Sequence, residues 1–201
     1  MPAEVPIFPL NTVLFPGGVL PLRVFEARYL DMVRDCLQHD RPFGVCLIVR
    51  GQEVGAAAEH ESVGCLAQIR GWDMQQLGVL QLRTVGTERF RVLERSVGAN
   101  ALVRATIDPI AADDALPVPQ ELADCAALAR RIVQDIEQRE PDPQRRIIEP
   151  PYEFDSASWV ANRLSEVLPI PVSARQGLMA LEDPLARLSL VHRFLHQHQV
   201  L

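Results

Sequence analysis

His192 and His196 stand four residues apart near the C-terminus, and on a helix that spacing turns both imidazoles to one face, where they could share a metal ion. With no Cys or carboxylate beside them in the chain, they read as the polar end of a terminal helix, and no metal site is expected. His39 and His60 neighbour loop-like polar residues. A serine hydrolase would need one of them beside Ser62, Ser96 or Ser156, and nothing in the spacing supplies that arrangement. The cysteines stand at 36, 46, 65 and 125, without the Cys-x-x-Cys spacing of a zinc knuckle or redox pair. They read as buried free thiols that behave as small hydrophobes.

All 20 positive residues are Arg and none is Lys. A P-loop needs a lysine to reach the phosphates, and Schiff-base or Ser-Lys chemistry needs the lysine amine itself. Gly-x-Ser-x-Gly, His-Glu-x-x-His and Gly-x-Gly-x-x-Gly are likewise missing. Gly17-Gly18 is a turn signal. These exclusions leave no catalytic residue and no cofactor to assign, and the protein is expected not to be an enzyme. Arg28 and Arg34 read as ion-pair partners on a helix surface, with Glu26 placed to favour that helix's exposed N-terminal donors. Arg70, Arg83, Arg89, Arg91, Arg95 and Arg104 could receive a polyanion if they shared a face, but Glu88, Glu94 and Asp108 are interspersed among them.

The elements that would position these groups change character along the chain. Residues 6–29, PIFPLNTVLFPGGVLPLRVFEARY, hold two short apolar strands, Ile7–Leu10 and Val19–Leu22, punctuated by prolines that place them at edges or barrel rims. Phe25, Tyr29, Met32, Val33, Cys36 and Leu37 then recur at helical spacing, with Glu26, Arg28, Asp31, Arg34 and Asp35 outward. Strand-like runs follow at 42–49, 63–72, 77–86, 87–96 and 102–110. Short strands this rich in Val, Ile and Leu, with one early helix, fit a closed or partly closed barrel, which removes the exposed edges. Gly44, Gly64, Gly78 and Gly86 suit bends, bulges or close backbone approach.

Residues 111–120, AADDALPVPQ, read as a linker. Helix is expected over 121–139, then from Ser156 through Leu168, then a short helix capped by Ser173 with Gln176, and a final one opened by Asp183-Pro184. Four prolines keep 140–154 from being one regular element. The expected division is a β-rich domain over 1–112 and a helical bundle over 113–201.

With 48% hydrophobic residues and a formal charge of −6, the composition is that of an ordinary globular chain, and it disfavours nucleic acid and anionic membrane as partners. No apolar run approaches the roughly 20 residues of a membrane helix, and Met1-Pro2-Ala3-Glu4 is not a signal-peptide start, so the expected location is cytoplasmic.

The run Pro6-Ile-Phe-Pro-Leu10, then Phe15-Pro-Gly, Leu20-Pro-Leu, Phe25-Glu and Arg28-Tyr29, resembles the opening of the Lon-protease N-terminal domain in its small stand-alone bacterial form. Phe43-Gly44-Val45, residues 63–67 (VGCLA), residues 86–92 (GTERFRV), residues 164–170 (LSEVLPI), residues 175–182 (RQGLMALE) and Arg187-Leu188 continue the match in order. The resemblance implies an α+β fold, with a PUA-like β pseudo-barrel carrying one early helix and followed by a C-terminal helical bundle. It also implies a role in recognising substrate proteins. The ATPase and Ser-Lys peptidase domains of full-length Lon proteases have no counterpart in these residues, and the family supplies no catalytic residue to carry over.

The expected function is a non-catalytic module that binds unfolded or extended polypeptide, in company with a protease system. A groove where small domains meet is the favoured location. Phe15, Leu22, Phe25, Arg28, Tyr29, Phe90 and Trp159 are the peptide-binding candidates, with core packing as the competing role, above all for Phe25 and Phe90. Trp159 is expected to pack where the 140–154 stretch meets the bundle, because a buried indole needs an outlet for its N–H. The rivals are an RNA-associated PUA-like module, which would need a continuous Arg face, and a small-molecule or enzymatic protein, which would need a pocket of convergent polar groups.

Overall fold

The computed structural model describes residues 3–200 and divides into two units, Met1–Ala112 and Asp113–Leu201. Mixed α and β structure with a largely antiparallel sheet and five helices matches the expected fold class.

In the first unit the order is β1 (Ala3–Leu10), β2 (Val19–Val24), α1 (Ala27–His39), β3 (Phe43–Arg50), β4 (Glu59–His60), β5 (Val63–Gln76), β6 (Val79–Val97) and β7 (Val103–Pro109). β1 pairs antiparallel with β7 through residues 3–7, then parallel with β3 through 7–10, and β3, β5, β6 and β7 complete the ring. The five strands β1, β3, β5, β6 and β7 therefore close on themselves, which leaves the short strands β2 and β4 as edges. Each proline sits where its missing donor is harmless. Pro6 pairs toward β7 alone, Pro9 toward β3 alone, and Pro21 lies in β2, which pairs with β6 alone.

Side chains alternate across β1. Val5 and Ile7 join Cys46, Phe90, Val103, Ala105 and Ile107 in one core, while Phe8 and Leu10 join a second core with Phe43, Leu80 and Leu82. Tyr29, Met32, Val33 and Cys36 of α1 fill that second core, each buried apolar side chain contributing about 1.5–3 kcal/mol. The Tyr29 ring stacks on Phe8 at 4.0 Å.

The expected helical stripe is right in its middle and wrong at its ends. Leu37 is exposed, and Phe25 precedes the helix, because Glu26 has extended backbone and the helix starts at Ala27. Arg28, expected outward, is buried. The two strands expected over 77–86 and 87–96 are one, the 19-residue β6. Gly86 does not break it. The 15–18 turn lies against that glycine, with Gly17 N–H donating to Gly86 O at 2.8 Å and Gly86 N–H donating to Gly18 O at 2.9 Å. A methyl group on Gly86 would run into the Phe15 carbonyl.

The second unit holds α2 (Ala123–Arg139), α3 (Ala157–Val167), α4 (Val172–Ala180) and α5 (Pro184–Gln197). α3 is the central helix, buried around most of its circumference with Asn162, Arg163 and Ser165 among its buried residues, and it packs against α2, α4 and α5. Ser156 caps it through the Trp159 N–H. Asp183 caps α5 as expected, accepting from the Leu185 and Ala186 N–H groups with Pro184 in the first turn. The Ser173 cap does not form. Pro171 stands at the N-cap, so Ser173 is already inside the helix and has no exposed first-turn donor to accept from. Arg146 ties down the proline-rich stretch, donating to Glu140 O at 2.9 Å, Pro141 O at 3.2 Å and Glu137 Oε1 at 3.1 Å. Among the described residues no helix is long and apolar enough to cross a membrane.

Candidate functional site

The entry to α1 gathers three of the candidate residues. Phe25 is 57% exposed immediately before the helix, while Arg28 and Tyr29 turn inward from its first turn. The Arg28 guanidinium donates through Nη1 to Ala101 O at 2.9 Å, pairs through Nη2 with Glu26 at 3.2 Å, and lies 4.6 Å from the centre of the Tyr29 ring. Its Nε is buried without a hydrogen-bond partner among the described residues. Glu26 in turn accepts from Gly55 N–H at 3.3 Å. Burial raises the Tyr29 pKa above its ordinary value, with the Arg28 charge opposing the shift, so the phenol stays neutral. Glu26 and Arg28, with Ala27, Asp31, Gly55, Asn100 and Ala101, line a cavity of about 310 Å³. Polar anchors beside an exposed aromatic ring can hold an extended main chain, whose carbonyls and amides both need partners.

Sequence reasoning placed strands at 63–72 and 77–86 but missed the exposed apolar residues on the hairpin that joins β5 to β6. Trp72 is 60% exposed and Leu77 94%, with Met74 also open to solvent. Trp72 lies in register with Leu82, which pairs with Leu22, so the row runs from a buried leucine through the half-buried candidate Leu22 on one side to an exposed tryptophan on the other. The signal was present as apolar residues at 72, 74 and 77 around the Gly78 turn, but periodicity alone reads such residues as inward-facing.

The second unit carries a separate aromatic cluster. Trp159 is half-buried, with Phe154 at 5.1 Å and Tyr152 at 6.3 Å, both in edge-on arrangement. Tyr152 donates to Glu137 at 3.0 Å, and Arg130 covers the Phe154 ring at 4.3 Å. Tyr152, Phe154, Arg130, Leu116 and Pro117 line a groove of about 560 Å³. Trp159 thus lies at the end of the proline-rich stretch. Because its ring is only partly covered, Trp159→Ala is expected to cost about 2 kcal/mol, less than the roughly 3–5 kcal/mol of a fully buried ring. Urea unfolding followed by helical circular dichroism measures this, and a cost above about 4 kcal/mol would mean the indole is a core residue.

Phe15 and Phe90 are placed differently. Neither has exposed surface. Phe15 is enclosed in the first unit; Phe90 backs a cavity of about 380 Å³ rimmed by Glu4, Asp35, Arg41, Glu88 and Arg104, and its ring belongs to the barrel core. A side chain without exposed surface packs the fold and does not touch a ligand in this conformation.

The thiols are not poised for chemistry. Burial pushes Cys36 up to about 11 and Cys46 and Cys125 up to about 12, so their thiolates are not populated near neutrality. Burial lowers the His60 pKa, and its Nδ1 is taken by Glu61 O at 2.8 Å. The Arg residues of the sheet do not make one face, since Arg89 is buried and Arg104 pairs with Glu4. His192 and His196 do face one another, and the fold brings them the carboxylate their neighbourhood in sequence lacks, that of Asp124.

Residues 4–197 match the model of the ATP-dependent protease La (LON) substrate-binding domain. A solved Lon N-terminal domain protein from Xanthomonas campestris is 34% identical, with a TM-score of 0.78 over 95% of this chain and 98% of that one. The N-terminal domain of a Mycobacterium avium complex Lon protease shares the fold at 14% identity, with a TM-score of 0.63 over 98% of this chain and 100% of that one. A Lon protease of Anaeromyxobacter dehalogenans is 26% identical over 98% of this chain, which spans 23% of that protein's length.

Proposed function

The chain belongs to the LON substrate-binding domain family, and we propose that it receives unfolded or extended polypeptide as a non-catalytic recognition module. The observation that carries this reading is the match of nearly the whole chain to a substrate-binding domain. The exposed Phe25 beside the Arg28 cavity, and the exposed Trp72, Met74 and Leu77, support it. Apolar side chains grouped this way on a globular surface mark places where another chain is bound. Phe25, Leu22 and Arg28 are the proposed contacts in the first unit, and the buried Tyr29 ring supports Arg28 from the core. Phe25 supplies apolar area, and Arg28 offers donors to main-chain carbonyls. Trp159, with Tyr152 and Phe154, is the proposed contact in the second. The module acts in the cytoplasm alongside a protease system. Without any lysine it has neither a P-loop amine nor a Ser-Lys dyad of its own.

The test is titration of a fluorescently labelled, permanently unfolded polypeptide with the purified chain at low and moderate salt, run beside a single-stranded RNA of matched length. Saturable polypeptide binding that survives moderate salt is expected, with Phe25→Ala weakening it by about tenfold, the scale of one interface anchor. Phe25 is solvent-exposed, so the variant should remain folded. RNA binding that collapses with salt would replace this reading with the nucleic-acid one.

A further inference from the structure

We propose that Asp124, His192 and His196 form a binding site for Zn²⁺ or a similar first-row divalent cation, pinning the end of α5 to the first turn of α2. The two imidazole Nε2 atoms are 2.9 Å apart. Asp124 Oδ2 lies 3.2 Å from the first and 3.7 Å from the second. An ion about 2.0 Å from each of three ligands in tetrahedral geometry holds those ligands roughly 3.3 Å apart, so the triangle already has the size that zinc requires.

Protons alone satisfy this arrangement poorly. A ring nitrogen carries either one hydrogen or one lone pair. If His192 Nε2 donates to Asp124, it has no lone pair left to accept from His196. If it accepts from His196, its lone pair faces the carboxylate oxygen at 3.2 Å. A cation at the centre uses both lone pairs and the carboxylate charge together.

The support around the ligands fits the same role. Asp124 Oδ1 accepts from the Cys125 N–H at 2.9 Å, which fixes the carboxylate and leaves Oδ2 to the histidines, the outer-shell device found around metal ligands. The imidazole rings stand edge to face at 4.3 Å, so their nitrogens converge without the rings stacking. Imidazole and carboxylate donors select zinc, nickel or copper over magnesium or calcium, which prefer all-oxygen shells. His196 is exposed, so water can complete the coordination. Two helices whose ends would otherwise fray acquire a crosslink.

The experiment uses tag-free full-length chain, stripped with chelator, titrated with Zn²⁺ by calorimetry and with Co²⁺ by visible absorption. One ion per chain is expected, with melting raised by about 5 °C or more when Zn²⁺ is a hundredfold above its Kd. Asp124→Asn, which retains the acceptor for Cys125 N–H, and the exposed His196→Ala should each weaken binding at least about 100-fold. His198→Ala should leave it intact. The proposal is overturned by binding no tighter than millimolar, by binding that survives both variants, or by the intense near-ultraviolet Co²⁺ band of thiolate ligands, which would assign the ion to cysteine.

Discussion

Replacing Arg187 by alanine should destabilise the C-terminal unit by about 3–5 kcal/mol, the cost of stranding one partner of a buried ion pair. Arg187 is 1% exposed, and every donor of its guanidinium has an acceptor. Nε donates to Leu178 O at 2.9 Å, Nη1 to Asp113 Oδ2 at 2.6 Å and Asn162 Oδ1 at 3.0 Å, and Nη2 to Asp113 Oδ1 at 3.3 Å and to Leu181 O. Asp113 also accepts from Ser158 Oγ at 2.5 Å. One side chain of α5 thereby ties the residues before α2, the central helix α3 and the end of α4.

Lysine should recover little of the loss. It offers a single compact ammonium where a planar fork engages both carboxylate oxygens and two carbonyls. Asp113→Ala should be as costly as Arg187→Ala, and the double variant should cost much less than the sum, because neither charge is then left alone. Urea unfolding of the four proteins, followed by the helical signal, decides it. Additive losses, or a single-variant cost below about 1 kcal/mol, would show that the network is not what holds these helices.

What the sequence shows and hides follows from the range of the interactions. Period-two alternation and helical stripes are local, so the strands and helices were placed to within a few residues, and the Asp183-Pro184 cap was readable because donor and acceptor lie within three residues. For Gly86 a bend and a close backbone approach were both open in the sequence, because a glycine that lets another segment approach looks the same there as one that turns the chain, and the structure shows the approach. The burial of Arg28 and Arg187 was invisible, since their partners at Ala101 and Asp113 stand 73 and 74 residues away. The same applies to Asp124, which is 68 residues from His192. Of the candidate binding residues, Phe25 was the hardest to place. Its spacing fits the buried stripe, but the helix begins two residues later and leaves it in solvent.

Phe90→Ala should cost about 3–5 kcal/mol, because the ring fills the barrel core and the cavity it leaves cannot collapse around a closed sheet. Two glycines make room for that ring, and they should respond differently to its removal. A methyl group on Gly44 would sit 2.6 Å from Ile7 Cδ1 and 2.7 Å from Phe90 Cζ, both side-chain atoms. On Gly64, which pairs with Phe90 across β5 and β6, it would sit 2.6 Å from Phe90 Cζ but also 2.5 Å from the Val45 carbonyl oxygen. Either Gly→Ala change alone should cost about 1–3 kcal/mol by overpacking, with Gly64→Ala at the upper end because the main chain must shift. With Phe90 already alanine, the Gly44 methyl occupies vacated space and its cost should fall by about 1–2 kcal/mol, a coupling of the size seen between contacting residues. The cost of Gly64→Ala should fall less, since the clash with Val45 remains. Thermal or urea unfolding of the two double-mutant cycles measures both couplings. Equal couplings would mean that the backbone at Val45 yields as readily as a side chain, and that the sheet around Phe90 is softer than its closure implies.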